Sequence, residues 1–178
     1  MAGQQLAAKQ RVGRGRTVCV TGASGFVASH CVQQLLGAGY TVHGTVRSLT
    51  NPDKVRHLTS LFGASERLKL FEADLLKEGS FDEAVAGCEA VLHTASPFTS
   101  DKTMTEDDFC KPAIQGTLNV LGSLKRNGVK ICVITSSTAA VYCYTEGGGG
   151  AIVLHSCVSC LHGVDLIIFV TYIGHRSR

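Results

Sequence analysis

The sequence predicts an α/β fold built on a doubly wound parallel sheet. Short apolar runs rich in β-branched residues alternate with helical patterns from residue 16 to residue 135, the rhythm of βαβ units rather than of hairpins. The first of these runs passes through Gly22-Ala-Ser-Gly25 directly into an amphipathic stretch, a strand–turn–helix step. The 178 residues are 44% hydrophobic and 17% charged, enough apolar material for one domain with a buried sheet. Right-handed crossovers then lead to the strand order 3-2-1-4-5.

The elements follow in order. Residues 1–15 are polar, contain Gly and Arg, and read as a flexible N-terminal arm. Arg16–Thr21 is the first strand. Phe26 to Gly37 repeats apolar residues at Phe26, Val27, Val32, Leu35 and Leu36, a helix closed by Gly37 or Gly39. Tyr40–Val46 is the second strand. Asn51-Pro52 opens a helix running to about Phe62, with Pro suited to the first turn. Arg67–Glu72 alternates and is the third strand. Ser80 is placed to cap a short helix through Ala86. Ala90–Thr94 is the fourth strand, Glu106 to Asn127 a long helix ended by Asn127-Gly128, and Val129–Thr135 the fifth strand. After Gly147–Gly150, the tail 151–173 is apolar without a clean period, with a sixth strand expected at Leu166–Thr171.

Several classes are excluded. Hydrophobicity is too high and charge too low for intrinsic disorder. Three prolines and unpatterned glycines exclude collagen-like chains. A net charge of +3 offers no basic patch to argue for nucleic acid. No uncharged apolar stretch is long enough to span a bilayer, because His155, His162 and Asp165 interrupt the tail. The first ten residues contain no apolar segment of a secretory signal. The expectation is therefore a cytoplasmic chain, in no contact with membrane, whose eight cysteines are free thiols. His30, His43, His57 and His93 read as solvated or packed residues. His155-x-Cys157-x-x-Cys160-x-His162 has zinc-like spacing, but no second ligand group accompanies it, and the expectation is no metal.

The strongest functional signal is Thr21-Gly22-x-x-Gly25-x-x-Ala28 between the first strand and the first helix. Gly22 permits a tight turn, Gly25 removes a side chain where a pyrophosphate approaches, and Ala28 is small enough for helix and sheet to pack. The helix start offers unpaired N–H groups and a positive dipole end. Arg47 stands at the end of the second strand, where an acidic residue would select NAD; an Arg suits the 2′-phosphate of NADP, with Lys54 nearby. Asp74-Leu75 follows the third strand; its carboxylate either accepts from an adenine amino group or caps the local turn.

Together with His93-Thr-Ala-Ser-Pro97, Gly116-Thr-Leu-Asn119 and Thr135-Ser-Ser137, these motifs resemble the extended short-chain dehydrogenase/reductase family of the NAD-dependent epimerase/dehydratase superfamily, and within it the plant dihydroflavonol reductase and cinnamoyl-CoA reductase group. The resemblance covers roughly residues 16–145. It implies a Rossmann-type domain over 16–145, an atypical non-family tail over 146–178, a missing substrate domain, and hydride transfer between NADPH and the carbonyl of an aldehyde, ketone or CoA thioester. It implies that Gly22, Gly25, Phe26 and Val27 line the pyrophosphate turn, Arg47 and Lys54 hold the 2′-phosphate, Asp74 and Leu75 contact adenine, and Thr94, Ala95 and Ser96 line the nicotinamide half. Ser137 is the match to the family's catalytic serine, with Ser136 and Thr138 as neighbouring candidates.

One family feature is missing. The proton donor there is a tyrosine with a lysine four residues on, whose charge lowers the tyrosine pKa. Four residues beyond Tyr40, Tyr142, Tyr144 and Tyr172 stand Gly44, Glu146, Gly148 and Arg176, and no lysine follows Lys130. The expectation is a truncated product, weakly active or inactive, its tail drawn from a shifted frame or an unspliced segment. Three readings stand side by side: a carbonyl reductase, a nucleotide-binding module without turnover, and an interaction protein associating with a full-length relative. Without later strands the fifth strand becomes a sheet edge unless the tail covers it, which predicts self-association.

Overall fold

The computed structural model describes residues 12–97, 106–137, 158–161 and 164–171. Among them seven strands form one sheet: β1 Thr17–Thr21, β2 Thr41–Val46, β3 Leu68–Glu72, β4 Ala90–His93, β5 Ile131–Ser137, β6 Val158–Leu161 and β7 Val164–Thr171. The order is β3-β2-β1-β4-β5-β7-β6. All neighbours are parallel except β6 on β7. The expected 3-2-1-4-5 core is present.

The helices are α1 Phe26–Gly37, α2 Arg56–Thr59, α3 Ala64–Arg67, α4 Asp82–Val85 and α5 Glu106–Arg126. Ala28, Val32 and Leu36 of α1 recur every fourth residue and are buried; they pack with Val20, Val42 and Val46 on one face of the sheet. On the other face Val85 of α4 and Val120 and Leu124 of α5 cover Cys19, Val91 and Cys132. Helices on both faces explain why the strands read as continuous apolar runs.

Two local expectations are corrected and a conditional one is resolved. The helix expected from Asn51 to Phe62 is broken into a 3-10 turn, Pro52–Lys54, and α2. Val55 and Leu58 are buried and Leu61 packs half-buried against the same core, while the hydroxyls of Thr59 and Ser60 donate to the Arg56 and His57 carbonyls and compete with a longer ladder. Ser80 does not cap α4; its hydroxyl donates to the Asp74 carbonyl and accepts from the Asp74 N–H. The tail covers the fifth strand, the condition under which it is no edge. β7 pairs with it from Ile131↔Asp165 to Ser137↔Thr171, so the edges of the described sheet are β3 and β6. The expected tail strand exists, begins two residues earlier, and is joined by a second.

Cys19, Cys88 and Cys132 are free thiols buried together under α4 and α5. Burial pushes the Cys88 thiol up to about 11 and Cys132 to about 12, and raises Cys19 further. Among the described residues no helix is long and apolar enough to cross a membrane.

Two outcomes follow. Leu124→Ala, at a fully buried position, should lower stability in urea unfolding by about 2–5 kcal/mol. In native protein a disulfide-exchange reagent should titrate exposed Cys110 promptly, while Cys19, Cys88 and Cys132 react only on unfolding, read by peptide mass mapping.

Candidate functional site

The site lies at the C-terminal ends of β1 and β4, between α1 on one face and α5 on the other. At this switch in strand order the two crossovers diverge and leave a crevice. Gly22 leaves β1 with φ +64°, and an added Cβ would stand 3.1 Å from Cα and Cβ of Ala95. Its N–H donates to Thr45 Oγ1 (3.2 Å), and the Ala23 N–H donates to the Thr45 carbonyl (2.7 Å), stapling the turn to β2. The Gly25 N–H donates to the Gly22 carbonyl (2.9 Å) and closes the turn.

Gly25 is the N-cap of α1, with no side chain capping the helix and no acidic residue in its first turn. The first helical bond runs from the Ser29 N–H to the Gly25 carbonyl. The amides of Phe26, Val27 and Ala28 therefore have no helical acceptor and add to the positive end of the dipole. Phe26 is 81% exposed, its ring edge-on to His30 at 5.0 Å. The donor set and the bare glycine surface fit a diphosphate.

Arg47 follows β2 directly and is exposed, as is Lys54 in the 3-10 turn. Neither side chain has a hydrogen bond or ion pair with another described residue. Their loop is held by the Leu49 N–H donating to Glu72 Oε1 (2.5 Å) and by the Ser48–Thr50 hydroxyl pair (2.8 Å). Arg47 at the end of β2, the strand beside β1, and Lys54 in the following 3-10 turn are cations suited to a further phosphate. Asp74 Oδ1 accepts from the Leu76 N–H (2.9 Å), so one carboxylate oxygen serves its own turn. Leu75 is pinned by α5: its carbonyl accepts from Asn119 Nδ2 (2.7 Å), and its side chain fills the space over Gly116.

Across the crevice, Thr94, Ala95 and Ser96 continue from β4. The Thr94 hydroxyl donates to the Thr21 carbonyl, and the N–H groups of Thr94 and Ala95 both donate to Thr21 Oγ1 (3.1 Å each). Ser96 is exposed. Ala95, Ser96 and Pro97 line a cleft of about 170 Å3 with Leu75, His93, Ala113, Thr117, Ile134 and Thr135. A larger apolar groove of about 540 Å3 runs along α1 from Phe26 and Val27 to Ala38, beside Leu92. Ser137 ends β5, three residues past Ile134, the register partner of His93. Thr138, Tyr142, Tyr144, Tyr172, His155, Cys157 and His162 lie outside the described residues.

Sequence reasoning passed over two members of this site, Thr21 and His93. They are register partners on β1 and β4, and both are buried. Thr21 Oγ1 lies 2.8 Å from His93 Nδ1. Burial lowers the His93 pKa to about 4. The available signal was positional: a hydroxyl and an imidazole each at the last residue of a central strand.

Residues 18–149 match the NAD dependent epimerase/dehydratase family. The chain belongs to this family. It is 54% identical over 128 residues to cinnamoyl-CoA reductase CAD2 of Medicago truncatula, covering 71% of this chain and 39% of that protein. It is 47% identical over 131 residues to dihydroflavonol 4-reductase of Dianthus caryophyllus, covering 74% and 36%. Among solved structures it is similar to vestitone reductase from alfalfa (TM-score 0.60, 38% identity, 71% of this chain and 37% of that one). It is also similar to Gre2 of Candida albicans in complex with NADPH (TM-score 0.62, 40% identity, 71% and 38%). The chain thus spans less than two fifths of the length of these family members.

Two further outcomes test the family turn. Gly22→Ala combines a positive φ with a close contact to Ala95 and should cost about 1–3 kcal/mol in urea unfolding. His93 is held neutral when folded, with its pKa lowered from 6.5 to about 4. The unfolded chain therefore takes up the proton first. The stability from burying neutral imidazole is complete above pH 6.5 and is lost as pH falls from there to about 4, a change of order 3 kcal/mol. Over that window His93→Gln should show a flatter melting-temperature profile than wild type.

Proposed function

We propose that this chain binds NADP(H) and is the coenzyme-binding part of a reductase acting on a small carbonyl compound, an aldehyde, ketone or CoA thioester. The observation that carries the reading is the uncapped start of α1 over a glycine turn, with two unpaired cations beside it. Gly22 and Gly25 let the backbone approach the diphosphate, and the Phe26 and Val27 amides donate to it. Arg47 and Lys54 hold the 2′-phosphate, the guanidinium by paired N–H donors. Leu75 offers an apolar face to adenine, and Asp74 keeps one oxygen for its amino group. Thr94, Ala95 and Ser96 border the nicotinamide side. Bound NADPH would supply a hydride. The Ser137 hydroxyl, at the open end of β5, is assigned the hydrogen bond to the carbonyl oxygen on which charge develops. Support comes from a family whose members include reductases and a structural neighbour bound to NADPH.

A second reading has its own observation. The sequence holds no Tyr-x-x-x-Lys, and removing a general acid typically costs about 10²–10⁴-fold in rate. The 16–145 unit is therefore assigned as a nucleotide-binding domain whose turnover is weak or absent, with 146–178 as a non-family tail.

Fluorescence titration should show NADPH binding tighter than NADH. Arg47→Ser should weaken NADPH by about tenfold or more, as expected for loss of a charge-assisted contact, and leave NADH nearly unchanged. Equal affinity for both coenzymes in wild type would refute the role of Arg47. NADPH consumption with a panel of aldehydes and ketones should be slow or undetectable; brisk turnover abolished by Ser137→Ala would instead favour the complete-enzyme reading.

A further inference from the structure

The Thr21 hydroxyl is surrounded by three partners, and its bonding capacity is finite. A hydroxyl carries one proton to donate and two lone pairs to accept. Both lone pairs are taken by the N–H groups of Thr94 and Ala95. The third partner, Nδ1 of His93 at 2.8 Å, must therefore receive the hydroxyl proton. That requires Nδ1 to be bare and the imidazole proton to sit on Nε2. An imidazolium, or the opposite tautomer, would bring a third donor to an oxygen with no lone pair left. It would also strand the hydroxyl's own proton, and one backbone amide would have to let go.

The released group would belong to the wall of the crevice. Among the described residues, the hydrogen bonds that hold Thr94 and Ala95 to β1 all run to Thr21: two amides on its hydroxyl and the Thr94 hydroxyl on its carbonyl. Ala95 is also the residue whose Cα and Cβ limit the space above Gly22. Thr21 is fully buried and His93 4% exposed, so water does not substitute readily for a lost partner.

We propose that Thr21 and His93 are a positioning pair: the Thr21 hydroxyl, directed by a neutral His93 protonated on Nε2, clamps the Thr94–Ala95 backbone to the end of β1 and so sets the width of the coenzyme crevice. The proposal rests on the NADP(H) reading only for its effect on coenzyme affinity. The clamp itself touches no reacting atom.

The test uses the full chain and needs no catalytic activity. In histidine labelled with nitrogen-15, His93 at neutral pH should show an unprotonated imine-type Nδ1 and a protonated pyrrole-type Nε2. A pyrrole-type Nδ1, or an imidazolium, overturns the proposal. The Thr94 and Ala95 amides should exchange slowly with solvent; rapid exchange in wild type also overturns it. Thr21→Val keeps the branched shape and loses the hydroxyl; it should raise the Kd for NADPH tenfold or more, with Thr21→Ser restoring it to within threefold. Unchanged affinity in Thr21→Val, or failure of Thr21→Ser to restore it, refutes the clamp. Should Thr21→Val not fold, the tautomer and exchange measurements on wild type and Thr21→Ser still decide. If wild type binds neither coenzyme yet shows the expected tautomer and protection, the NADP(H) reading fails and the clamp stands.

Discussion

The site depends on how closely the end of β1 approaches the end of β4. Gly22 turns into α1 with a backbone only glycine adopts at low cost, and no side chain fits between it and Ala95. That proximity has three consequences. It points the first amides of α1 into the crevice. It brings the Thr94–Ala95 backbone within reach of the Thr21 hydroxyl. It leaves the glycine surface bare where a large anion can sit. Because Thr45 staples the same turn from β2, the three central strands share one constraint, and a change at any of them is felt at the others.

Burial around this point is arranged so that nothing competes for the crevice. The imidazole of His93 is neutral, and the three core thiols are protonated, all through desolvation. Arg47 and Lys54 are exposed, and no ion pair among the described residues engages their side chains. Arg126, by contrast, is spent on Asp82 and Ser123, where it ties α5 to α4.

The C-terminal strands alter the architecture without altering this arrangement. β7 takes the place beside β5 in parallel register and β6 closes on it antiparallel, so Ser137 sits at the end of an interior strand. The family relationship covers residues 18–149, whereas β6 and β7 lie beyond them. The sheet is thereby wider than the portion whose motifs are shared with the reductases.

By itself the sequence determined the order and type of the central elements. Apolar β-branched runs, helical spacing and glycine punctuation are local patterns, and crossover handedness leaves few ways to connect them. It also determined where the candidate coenzyme motif falls, because Gly22, Gly25, Ala28 and Arg47 occupy positions fixed by one βαβ unit. Only the tertiary structure decided the rest. The pairing of Thr21 with His93 joins residues 72 apart in sequence and needs the β1–β4 register. The commitment of Ser80 to Asp74, rather than to α4, is settled by where the loop after β3 closes. The break between the 3-10 turn and α2 is set where Val55 and Leu58, with Leu61 beside them, dock on the core. In each case the deciding partner comes from packing, and no local periodicity encodes it.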